Sequence, residues 1–170
     1  MFDKQFNFKG RHAARARALS SSYNEAGDQI FARSYDVYLV APIIGFSYQQ
    51  AEPLDRSSDE ERAVFGDILM KNNADIMFVF RTIMLLDEKN QPDVSERIKK
   101  ALGNNFSKED EELFYSYMRG GVDILYEKII DNATLPSDFV TNLYDFLDEI
   151  NAREGSVDVD AIKEYCSKFE

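Results

Sequence analysis

The chain has 170 residues, with 20 Lys+Arg against 31 Asp+Glu, one His, one Cys and no Trp. That length predicts one domain, and 44% hydrophobic with 13% aromatic residues argues against intrinsic disorder despite the charge. A single cysteine excludes an internal disulfide and a zinc or iron–sulfur cysteine cluster, and a single histidine excludes every multi-histidine metal site. In chain order, RHAARARAL (11–19) is rich in strong helix formers and predicts a helix from about Gly10 to Ser20. Arg11 and Arg15 share a face there, and Ala14 and Ala18 offer close packing to a neighbour. Ser20-Ser21-Ser22 and Gly27 then predict a loop.

The run Tyr35–Phe46 is apolar on nearly every side and reads as a buried helix, although its β-branched and aromatic content also permits a strand. Pro42 removes one helical hydrogen bond and predicts a kink or an end. After a polar loop over Gln49–Ser57, Ser58 and Glu61 have capping-box spacing and predict a helix over about Asp59–Lys71. Ala74–Asp87 predicts a second central helix carrying one charge, Arg81, which should find a carboxylate in a structural ion pair. Asp93 can cap a short helix that ends near Leu102, with Gly103 as its stop. Ser107 opens a longer helix whose first-turn acids Glu109, Asp110, Glu111 and Glu112 suit the helix dipole. Midway, Gly120-Gly121 implies either a break or the close approach of another backbone. Two more helices follow, one with Phe139, Leu143, Phe146, Leu147 and Ile150 on a stripe, and a last one over about Asp158–Lys168. The expected fold is all-α, an irregular globular bundle of seven or eight short helices in a single domain, 1–170.

Charge is unevenly placed. Residues 1–33 carry net +3, from Lys4, Lys9, Arg11, Arg15, Arg17 and Arg33 against Asp3, Glu25 and Asp28, so the remainder carries −14. An acidic body opposes non-specific adhesion to nucleic acid, while the basic segment 1–33, packed on the domain or extending from it, suits bidentate contacts to phosphate or carboxylate. Lys9, Arg11, Arg15 and Arg17 are therefore the candidate partner-binding residues; nucleic acid would be reached only through this segment or through a partner. No apolar leader precedes them, and the longest apolar run, Val37–Phe46, is half a bilayer span, so the expected location is cytoplasmic, with no membrane contact.

Catalytic signatures are missing: there is no phosphate-binding loop, no dinucleotide glycine pattern, no metalloprotease helix and no nucleophile elbow. Asp87–Ile98 superficially follows a calcium loop, but Lys89 and Gln91 occupy ligand positions and the turn glycine is missing. Cys166 could pair with His12 only if the chain ends meet, and reads instead as a partly buried helix cysteine. No catalytic, cofactor-binding or metal-ligating residue is assigned, and no cofactor is expected.

Two stretches, IFARSYDVYLVAPIIGFSY (30–48) and LFYSYMRGGVDILYEKI (113–129), resemble segments of small helical proteins associated with bacterial DNA phosphorothioation systems, in which an aromatic–x–x–x–Asp–Val helix near the N-terminus is followed by a late Gly-Gly helix. The matched stretches total 36 residues, about a fifth of the chain. The resemblance implies an accessory role in defence against foreign DNA and carries no catalytic residues with it. The leading expectation is a non-catalytic accessory protein that binds other protein subunits in a DNA-modification or phage-defence complex, with homo-oligomers compatible with its aromatic helices. The alternatives are an acidic decoy occupying a nucleic-acid groove of another protein, resting on the −14 body, and a metal-dependent hydrolase or nuclease using clustered carboxylates.

Overall fold

The computed structural model describes residue 2, residues 4–103 and residues 106–153; the expected helix over Asp158–Lys168 and Cys166 lie outside them. Within that range the chain forms β1 (Phe6–Lys9), α1 (Arg11–Leu19), α2 (Ser34–Ser47), β2 (Glu61–Val64), α3 (Gly66–Lys71), α4 (Asn73–Leu86), α5 (Val94–Leu102), α6 (Lys108–Ile129) and α7 (Pro136–Arg153). The protein is mostly helical, as expected, but the all-α expectation is corrected by the two-stranded sheet. The Tyr35–Phe46 run is helix, not strand, and α2 continues through Pro42 to Ser47.

Helices α5 and α6 begin where their local chemistry places them. Asp93 accepts hydrogen bonds from the backbone N–H groups of Ser95 (2.7 Å) and Glu96 (3.1 Å) at the start of α5. Ser107 and Asp110 form a reciprocal capping box at the start of α6. Burial works to raise the Asp110 carboxyl, but Lys100 at 2.6 Å and Ser107 outweigh it and hold it below the usual carboxylate range. Gly103 ends α5 in extended rather than left-handed backbone (φ −67, ψ 168).

The centre of the molecule is the contact of α2 with α6. A Cβ on Gly121 would run into the Ala41 carbonyl, and one on Gly45 into the Tyr117 carbonyl, so backbone lies directly on backbone. Gly120-Gly121 is therefore a close approach inside an unbroken helix. Packing at this distance leaves Val37, Tyr38, Ala41, Met118 and Val122 fully buried.

The same glycine pair directs the chain that leaves α2. Gln49 is left-handed (φ 53), its N–H donates to the Phe46 carbonyl (2.9 Å) and that of Gln50 to the Gly45 carbonyl (2.8 Å), a Schellman turn. The Gln50 carbonyl rests where a Cβ of residue 120 would stand. From there the loop crosses α6: Glu52 N–H donates to the Ser116 carbonyl (2.9 Å), and Arg119 Nε donates to the Glu52 carbonyl (2.7 Å). That crossing carries Glu52 and Asp55 to the start of α1.

The sheet replaces half of the helix expected over Asp59–Lys71. Glu61–Val64 pairs antiparallel with Phe6–Lys9, placing Val64 opposite Phe6 and Glu61 opposite Lys9. Ser58 does not complete its capping box, since its hydroxyl meets the Glu60 N–H at 3.4 Å and no hydrogen bond ties it to Glu61. The distant strand prevails because pairing buries Phe8 and Val64 and seats Phe6 against the rings of Tyr38 and Tyr115. Helical structure resumes only in the short α3.

Candidate functional site

The basic segment lies over α6, at the acid Asp123. Gly10 turns the chain at φ 56 and leaves room for Asp55, whose Oδ2 accepts the Arg11 N–H at 2.6 Å. A loop acid from elsewhere thus does the work of an N-cap for α1, which lacks one of its own. That hydrogen bond, with those from Ser57, brings the Asp55 carboxyl down to about 2.

At the first residue of α1, Arg11 reaches Asp123 Oδ2 with Nη2 (3.0 Å) and Nε (3.2 Å), and Glu52 with Nη2 (2.8 Å). Arg15 Nη1 stands 2.7 Å from Asp123 Oδ1 and 3.4 Å from Glu127, and its guanidinium lies over the Tyr126 ring at 4.9 Å. Between them His12, wholly buried, places Nε2 3.4 Å from Asp123 Oδ2. Burial alone would raise the Asp123 carboxyl; His12 and Arg15 outweigh it, and the group is held below its usual range. Arg17 pairs with Glu60, and Lys9 with Glu61 at 2.8 Å.

All four residues singled out in the sequence thus find a carboxylate within the chain. Lys9, Arg11 and Arg17 keep nearly half their side-chain surface exposed, whereas Arg15 keeps a quarter. Ala13 and Ala16, not Ala14 and Ala18, are the small residues fully buried from α1.

A histidine beside a carboxylate invites comparison with a general-base dyad. Such a base must reach the proton it removes, directly or through one water. His12 has no exposed surface, and neither ring nitrogen has an aligned hydrogen-bond partner, so no nucleophilic side chain is held against it. The cluster instead fastens α1 to α6. Among the described residues no three His, Cys, Asp or Glu side chains are grouped to hold a metal ion. No helix among them is long and apolar enough to cross a membrane.

A second feature was not legible in the sequence as a site. Helix α4 turns Ala74, Met77, Phe78, Arg81, Thr82 and Leu85 toward an open groove of about 560 Å³, closed on its far side by Ala101 and Leu102 of α5. Around it Phe78 is 72% exposed and Leu102 67%, and Leu86, Val94 and Ile98 are exposed as well. Arg81 was expected to form a structural ion pair. Its Nε is enclosed without a hydrogen-bond partner, and none of the ion pairs among the described residues includes it. Arg97, whose Nε is likewise enclosed without a partner, and Arg119 are buried and differ in their outer nitrogens: Arg97 binds Glu88 and the Gln91 and Pro92 carbonyls, and Arg119 binds Glu112 and the Glu52 carbonyl, whereas the half-buried Arg81 meets no carboxylate among the described residues. The one signal in the sequence was the lone cation in the apolar run 74–86.

No family model matches the chain, and no curated protein or solved structure matches it.

Proposed function

We propose that this chain is a non-catalytic interaction protein, an accessory subunit of a bacterial DNA-modification or phage-defence complex. The observation that carries the interaction reading is the α4–α5 face, where large apolar side chains surround an arginine without a partner. Grouped apolar exposure of this kind marks surfaces that meet other proteins. The placement in a DNA-modification complex rests on the likeness of residues 30–48 and 113–129 to the phosphorothioation-associated proteins. In this reading Arg11 and Arg15 hold the fold, and any contact of a partner with the basic segment runs through the exposed ends of Lys9 and Arg17.

The test is affinity capture of the full chain from its native host, with and without nuclease, read by mass spectrometry. DNA-modification proteins should co-purify in stoichiometric amounts and survive nuclease. A robust turnover activity of the purified chain would overturn the reading. Lys9→Glu with Arg17→Glu separates the basic segment from the fold: loss of capture with an unchanged melting temperature places a contact there, and retained capture removes it.

A further inference from the structure

The Arg81 guanidinium has no carboxylate among the described residues, and large apolar side chains left in water around it cost free energy. A partner for the α4–α5 groove must therefore bring both an apolar stripe and a carboxylate. The chain itself carries such a surface. On α7, Leu143 and Ile150 pack against the core, Phe146 is buried in it, and Phe139 stacks on Tyr23. The flank of the helix beside these residues presents a stripe of Val140, Tyr144 and Leu147, at 52%, 68% and 48% exposure. Asp148 stands one turn beyond Tyr144 at the edge of that stripe, exposed and with no hydrogen bond or ion pair among the described residues.

We propose that α7 of a second copy of this chain docks in the α4–α5 groove, setting Val140, Tyr144 and Leu147 against Phe78, Leu85 and Leu102, with the Asp148 carboxylate on Arg81. Arg81 and Asp148 are of opposite sign and both without an ion pair among the described residues, and the dimensions agree: 14 residues of α4 span about 21 Å and 18 of α7 about 27 Å. A third helix laid between two antiparallel ones is an ordinary ridge-into-groove packing. Each copy offers one groove and one helix, so the contact closes a dimer where a twofold axis exchanges the two and otherwise runs head to tail from copy to copy. This deepens the interaction reading above, by naming what the groove receives.

The experiment is sedimentation velocity of the full chain over a wide concentration range, with Arg81→Glu, Asp148→Arg and the double variant. The wild type should self-associate, and each single reversal should weaken association by about tenfold or more. The double variant, which restores the pair with its signs exchanged, should recover most of that loss. Far-UV circular dichroism and melting temperature verify that all four chains fold, and Tyr144→Ser supplies an independent apolar break. A wild type that stays monomeric, single reversals without effect, or a double variant without recovery each overturns the proposal. A monomer that still captures another protein in a manner abolished by Arg81→Glu overturns self-association while leaving the interaction reading standing. If captured partners are indifferent to Arg81→Glu, the groove falls as an interaction site.

Discussion

The α2–α6 seam and the α4–α5 hairpin are both pairs of apolar helices, and they treat their surfaces in opposite ways. At the seam, Gly45, Gly121 and Ala41 bring backbones together and leave no side chain between them. In the hairpin, Met77, Phe78, Leu85 and Leu102 line a groove that stays open along one side. Charge follows the same division. Asp123, on the seam helix, is met by Arg11, Arg15 and His12, while Arg81, on the hairpin, is met by nothing among the described residues. A charge answered within the chain is part of the fold, and one left unanswered on an apolar face is available to something outside it.

The largest test of that contrast is Gly121→Ala. Its methyl group would strike the Ala41 carbonyl, which is backbone and cannot turn aside. Overpacking commonly costs about 1–3 kcal/mol, and here the loss should reach or exceed about 3 kcal/mol in urea unfolding. Phe78→Ala on the groove should change the same measurement by less than about 0.5 kcal/mol, as surface substitutions do. Equal losses would erase the distinction between the two regions.

Next in size is Asp123→Ala, which strands Arg11, Arg15 and His12 around a neutral site. Breaking a buried pair costs about 3–5 kcal/mol; because Arg11 is half-exposed and can turn to water, a loss of about 2–3 kcal/mol is expected. A loss under about 0.5 kcal/mol would show that α1 is held by its buried alanines and Leu19 alone.

Acid should act through the same groups. Asp123, Asp110 and Asp55 are all held below the ordinary value, Asp55 at about 2. Each contributes stability that is complete above the unfolded value of about 3.9 and is lost as pH falls through the folded one. Melting temperature should therefore decline from about pH 4 downward. Asp123→Asn should flatten part of that decline, and an unchanged slope would remove Asp123 from the account.

The smallest effect belongs to Arg81→Leu. Removing an enclosed group that has no partner should leave the stability of the single chain unchanged or raise it by about 1 kcal/mol. A substantial loss would mean that Arg81 is answered inside the fold after all, and the contrast with Asp123 would fail.

What the sequence determined by itself is local. Asp93 and Ser107 fix the starts of α5 and α6 because a cap and the N–H groups it satisfies lie within three residues of one another. The apolar run 74–87 marks α4 by its length and composition, whereas Tyr35–Phe46 left helix and strand open, because a run apolar on nearly every side carries no period to decide between them. The tertiary structure decided whatever depends on a partner far along the chain. Ser58 and Glu61 carried a helix signal that a strand more than fifty residues away overrode. Gly121 acquired its meaning only when Ala41 and Gly45 came to rest on it, Gly120 when Gln50 did, and the basic segment only when Asp123 arrived from 112 residues away. Sequence records which charges and small residues a chain possesses; whether each is spent inside or left outside is set by contacts that exist only once the helices have packed.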